Sequence, residues 1–146
     1  MKAQQGFTLS ELMVVLAIMG LSATIGSLYL DPMTTPLESG AIQLEGFFRQ
    51  ARLQAMATTS AHRVSASDSS NLMVESAGTC SDTTWTTDGD LELELPRGVT
   101  MSDDSWSVCF SSRGISLNNV TVTLAHAKYG TRDIEVLLGG TTRILP

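Results

Sequence analysis

Three regimes of polarity divide the chain. From Phe7 to Leu30, 24 residues, the only charge is Glu11, and Leu12–Leu30 (LMVVLAIMGLSATIGSLYL) runs nineteen positions without one. At about 1.5 Å per residue, a helix of that length reaches roughly 36 Å, enough to cross a hydrocarbon core of about 30 Å. Gly20 and Gly26 lower its helix propensity and permit close helix contact. Asp31-Pro32 ends the run, because proline lacks an N–H and disfavours helix at the residue before it. Lys2 precedes the run and Asp31 is the first charge after it, which places the N-terminus in the cytoplasm and the remainder outside.

The second regime has a helical period. Thr35-Pro36-Leu37-Glu38 reads as a helix start, with Thr35 as N-cap, Pro36 in the first turn and Glu38 completing a capping box. Leu37, Ala41, Leu44, Phe48, Ala51 and Ala55 follow at spacings of three and four, so one face is expected to be buried. Arg49, Gln50, Arg52 and Gln54 fall on the other faces, Phe47-Phe48 reads as core packing, and the helix is expected to end near 58–60. From Ala61 the period becomes two. Strands are expected at 62–66 and 71–75, joined as a hairpin through 67–70, then at 91–95, 106–110, 120–124 and 134–138. A last strand near 143–145 is expected after a Gly139-Gly140 turn. The pattern predicts an α+β fold: a long N-terminal helix, bent or interrupted around 31–36, whose second half lies on an antiparallel sheet or small sandwich.

Composition sharpens this picture. The chain has 146 residues, only 16% of them charged, with 9 Lys and Arg against 15 Asp and Glu, for a net charge of −6. That length fits one small domain besides the apolar segment. An acidic chain repels phosphates overall, which argues against general coating of nucleic acid.

The front edge of the apolar run is more specific. Gly6-Phe7-Thr8-Leu9-Ser10-Glu11 leads directly into the helix, and this motif resembles the type III signal of type IV prepilins and pseudopilins. The resemblance implies a leader at 1–6, cleavage between Gly6 and Phe7 by a membrane prepilin peptidase, and N-methylation of Phe7. It further implies a membrane-spanning assembly helix at 7–30 and a periplasmic globular domain at 31–146. Implied partners are other pilins or pseudopilins, the peptidase, an inner-membrane assembly platform and a cytoplasmic ATPase. The physical logic agrees. A glycine offers no side chain to obstruct the peptidase, and an acid at membrane depth is costly unless paired. The new amine on Phe7 of a neighbouring subunit would supply that partner for Glu11, the expected assembly residue. A second, more diffuse resemblance spans 44–145. Residues 48–56 (FRQARLQAM), Phe110-Ser111-Ser112-Arg113-Gly114 and Gly140-Thr141-Thr142-Arg143-Ile144 look like segments of the GspH/FimT pseudopilins. That implies a minor subunit of a type IV pilus or a type II secretion pseudopilus, and not an enzyme.

Other candidate chemistry is sparse. Cys80 and Cys109 lie on the side where disulfides persist, and neither belongs to a CxxC, so a bridge is the expected state. Asp82, Asp88, Asp90 and Glu92 do not follow the calcium-loop spacing and read as a solvated surface. His62 and His126 lack any metal or nucleophile motif, and no cofactor fingerprint is present. Some pilin-like proteins of the FimT kind take part in DNA uptake. Here the candidate DNA contacts are Lys128, Arg132 and Arg143, three dispersed cations in an acidic domain.

Overall fold

The computed structural model describes residues 9–28 and 34–145, with the backbone alone over 21–28. Two compact units are present, 1–33 and 34–146. The first contains α1, Leu9–Leu28, with Glu11 in its first turn. Leu9, Leu12, Met13, Val14, Val15, Leu16, Ile18 and Met19 are all at least half exposed. Such a helix has no single apolar stripe to offer a core of its own. The expected helix start at Phe7, the orienting Lys2 and the break at Asp31-Pro32 lie outside the described residues. Among the described residues no helix is long and apolar enough to cross a membrane.

The second unit opens with α2, Pro36–Thr58. Thr35 caps it from an extended conformation, its Oγ1 accepting the Glu38 N–H at 3.2 Å. Pro36 occupies the first turn, where a missing N–H costs nothing. The buried face holds the six residues that the spacing predicts, together with Gly40 and Phe47. Thr59 ends the helix in the left-handed region (φ 54°), its N–H reaching back to the Ala55 carbonyl.

Eight strands follow: β1 Ala61–Ala66, β2 Asn71–Ala77, β3 Thr86–Glu94, β4 Val99–Met101, β5 Ser107–Phe110, β6 Val120–His126, β7 Gly130–Val136 and β8 Thr142–Ile144. They form two four-stranded sheets, ordered β3-β2-β1-β5 and β4-β6-β7-β8, with every neighbouring pair antiparallel. The β1–β2 hairpin is set by Asp68, whose carboxylate accepts the N–H groups of Ser70 (2.7 Å) and Asn71 (3.0 Å). Val64 then pairs with Val74 and Ala66 with Leu72, putting apolar side chains on one face. Strand alternation and α2 together create a single core. Phe48, Leu44 and Ala51 of the helix meet Val64, Val74, Val108 and Phe110 of the first sheet and Val122, Leu124, Ile134 and Val136 of the second. The fold is α+β, as the sequence predicts, with the helix packed on both sheets.

Some boundaries differ from expectation. Strand β3 starts at Thr86, well before the leucine-glutamate alternation, and a bulge between Met73 and Val74 absorbs the change of register. Strand β4 was not predicted; Val99 and Met101 are its only apolar positions, too few to show a period. Strand β7 runs over 130–136 and not 134–138. Leu137 and Leu138 belong to the following turn, where the Leu138 N–H is held by Asn119 Oδ1 at 2.7 Å.

Candidate processing and assembly site

Of the residues expected to act in processing, Gly6 and Phe7 lie outside the described residues. Glu11 is described, and it sits where the helix macrodipole favours an acid, in the first turn of α1. Ser10, Val14 and Val15 surround it on the same helix. Apart from Ser10 and Glu11, the described side chains of α1 are apolar.

In the second unit the sequence candidates are distributed among structural duties. Cys80 and Cys109 form a disulfide with Cα atoms 5.9 Å apart, spanning 29 positions. In the chain-entropy account a loop of that size adds about 3.5 kcal/mol of stability. The bridge ties the β2–β3 connection to β5. Beside it Arg63, paired in register with Cys109, lies over the Trp85 ring at 4.2 Å and binds Glu75 Oε2 at 2.7 Å. Asp82 closes the same connection, accepting from the Thr79 hydroxyl (2.8 Å) and N–H (2.9 Å), and the Trp85 indole N–H donates to the Asp82 carbonyl. The Thr79 hydroxyl first, then its N–H, holds the Asp82 carboxyl below the usual carboxylate range. Asp82 is thereby a loop-closing residue.

His62 is buried on β1, with Ser60 Oγ 3.5 Å from Nδ1 and Asp88 Oδ2 3.8 Å from Nε2. Those separations are too long for a proton relay, and the Ser60 hydroxyl already meets Thr58 Oγ1 at 2.6 Å. His126 accepts the Lys128 N–H at 3.1 Å and packs on Tyr129, ordering the β6–β7 turn. No three metal-ligating side chains come together among the described residues.

The three candidate DNA contacts do not form one patch. Arg143 faces Glu135 across β7–β8 and binds it at 2.6 Å. Arg132 alternates in phase with Ile134 and Val136, so it leaves the opposite face of that sheet, and it donates to the Leu145 carbonyl at 3.3 Å. Lys128 stands in the turn, 5.4 Å from the Tyr129 ring centre.

One junction escapes sequence reasoning. Arg52 Nε donates to the Gly114 carbonyl at 2.9 Å, 62 residues away. Gly114 and Gly140 both adopt positive φ (72° and 73°), and a Cβ on either would crowd Arg52 Nε at 3.0 Å. Only glycine fits these two turns and also approaches α2 so closely. All three residues belong to segments singled out in the sequence, Arg52 to 48–56 and the glycines to the two C-terminal ones, but their meeting is visible only in three dimensions.

Residues 1–27 match the prokaryotic N-terminal methylation motif. The folded unit is similar to the type IV minor pilin FimU of Pseudomonas aeruginosa, with a TM-score of 0.59 and 16% identity over 75% of this chain and 88% of that one. It is equally similar to the minor pseudopilin EpsH from the Type 2 Secretion System of Vibrio cholerae, with a TM-score of 0.59 and 12% identity over 76% of this chain and 97% of that one. No curated protein sequence matches the chain. The chain thus carries an N-terminal methylation motif ahead of an α+β unit with the pilin-like fold seen in FimU and EpsH.

Proposed function

We propose that the chain is a minor structural subunit of a type IV pilus or a type II secretion pseudopilus. In this reading prepilin peptidase cuts between Gly6 and Phe7, Phe7 is N-methylated, and residues 7–30 anchor the product in the inner membrane with 31–146 in the periplasm. The anchored subunit then enters a filament helix against helix, through contacts with other pilins and an inner-membrane assembly platform. The observation that carries the reading is a methylation motif leading into a helix whose described side chains are apolar except for Ser10, Glu11 and the bare Gly20. Such a surface is stable only when lipid or other apolar helices cover it. Glu11 is the element that turns a passive anchor into a registered one, because its charge is stabilised where the freed amine of a neighbour meets it.

The test is Glu11→Ala in the cell that makes the filament. The variant is expected to be cut and to keep a folded domain, with incorporation into sheared filaments reduced at least about tenfold, the scale of a lost buried charge pair. Incorporation at the level of the unsubstituted chain would refute the pairing role. A full-length uncut product from Gly6→Leu is the parallel expectation for processing.

A further inference from the structure

Resting on the assembly reading above, we propose that the end of the second unit at which α2 finishes is a docking surface, and that its occupant is a different pilin-family subunit presenting an apolar patch edged by carboxylates. Seven large apolar side chains of this unit are exposed among the described residues, and five of them, Leu53, Met56, Ile115, Leu117 and Leu138, belong to this end. Three segments bring them there. Leu53 and Met56 stand on the last two turns of α2. The loop after β5 reaches the same turns, since a Cβ on Gly114 would meet Met56 Sδ at 2.8 Å. In that loop Ser116 turns inward at 1% exposure and bridges to Phe110, which leaves Ile115 and Leu117 outside at 47% and 60%. Leu138 is tied to the same loop through its N–H bond to Asn119, and a Cβ on nearby Gly140 would run into the Gly114 carbonyl. Exposed apolar side chains gathered in this way, rather than scattered singly, mark an interaction site.

The other two, Ile42 and Tyr129, lie toward the end where the chain enters the unit. Gly40 of α2 packs on Val99, Val99 pairs with His126, and Tyr129 stacks on His126. Met56 stands twenty positions beyond Pro36, about 30 Å along the helix, a separation that favours a protein neighbour over the bilayer around the anchor. Charge describes that neighbour. Residues 49–56, 111–119 and 137–141 contain Arg49, Arg52 and Arg113 and no acid, in a chain with 15 acids against 9 Lys and Arg. Arg113 is exposed, and the ion pair of Arg49 is with Glu45, an exposed tie one helical turn back that is exchanged at little cost. An apolar centre with arginines at its rim has the anatomy of a protein interface, and guanidinium forks select carboxylates on the partner. A second copy of this chain does not fit. Face to face it would set these arginines against themselves, and the described part of the unit exposes no second cluster of large apolar side chains to receive the first. An unlike subunit is the filament neighbour that remains.

The experiment uses the full chain in the cell that assembles the filament, with benzoylphenylalanine replacing Leu117 or, at the opposite end, Tyr129. Irradiation is followed by mass spectrometry of the adducts. The expected result is an adduct from position 117 to a different polypeptide that has its own N-terminal methylation motif, at least about tenfold more abundant than any adduct from position 129. Arg113→Glu should reduce it at least about tenfold by facing the partner's acids with an acid, and Arg113→Lys should retain most of it. Both variants should keep the Cys80–Cys109 bridge, read as mobility without reductant, which shows the domain folded. Adducts only to lipid, to the chain itself or to a polypeptide without the motif would overturn the proposal. Equal yields from 117 and 129, or a yield untouched by Arg113→Glu, would overturn it as well. Sheared filaments from the same cells separate the two levels of failure. A chain found in them without the adduct refutes the docking surface alone, and a chain absent from them without the adduct refutes the assembly reading along with it.

Discussion

The two helices of this chain are nearly equal in length, 20 residues in α1 and 23 in α2, and opposite in how they use apolar surface. Helix α2 confines it to one face, and Leu44, Phe48, Ala51 and Ala55 on that face are fully buried by the sheets of their own unit. Helix α1 is apolar around its described circumference apart from Ser10 and Glu11 at its start, and the side chains over 9–20 are exposed. The difference teaches that distribution, more than amount, decides what an apolar helix is for. A stripe is satisfied by one sheet surface within the chain. A helix without a polar face needs apolar surroundings on all sides, which lipid and neighbouring helices can supply and a domain of this size cannot.

Truncating the same kind of side chain on each helix should separate them most clearly. Phe48→Ala removes a fully buried ring from the centre of the core and should lower the unfolding free energy of the domain by about 3–5 kcal/mol. Leu16→Ala, on α1, should change it by less than about 0.5 kcal/mol, both followed by thermal circular dichroism of the full chain in detergent. An equal loss from the two would erase the distinction. Next in size, Cys80→Ser with Cys109→Ser should cost about 3.5 kcal/mol. It should also free the β2–β3 connection, read as faster amide exchange over 78–85. Arg52→Leu leaves the Gly114 carbonyl without its charged donor and should cost about 1.5–3 kcal/mol, with exchange rising at both glycine turns. Acid should have the smallest effect. Hydrogen bonds from Asn71 and Ser70 hold the Asp68 carboxyl low, and those from Ser105 do the same for Asp103. A depressed carboxyl stabilises the fold above its unfolded value of about 3.9 and loses that contribution as pH falls through its lower folded value. The melting temperature should therefore be insensitive to these groups between about pH 5 and 8 and decline below about pH 4. Asp68→Asn and Asp103→Asn should blunt the decline.

Much of this architecture can be read before folding because its signals are local. The Thr35-Pro36-x-Glu38 start, the three-four spacing of α2 and the turn residues 67–70 each act within a few positions, and each appears in the structure where expected. The disulfide was legible from compartment and cysteine count. Strand β7 was misplaced because its first half, Gly130–Asp133, is polar and is held by backbone pairing to β6, information that lies in the partner strand. The apolar Leu137-Leu138 pair drew the expected strand too far along, although a turn claims both. The Arg52–Gly114–Gly140 junction is illegible for the same reason on a larger scale, since it joins three segments far apart in sequence. Helix α1 is the reverse case, in which the sequence motif is sharper than anything its own unit displays.

The central claim is that α1 is released at a glycine so that other molecules can cover it. Its most direct test is the intact mass of the native polypeptide purified from a cell that has the peptidase. A chain beginning at Phe7 and heavier by one methyl group is the predicted result, with Gly6→Leu leaving the polypeptide uncut. A native polypeptide that still begins at Met1 would contradict it.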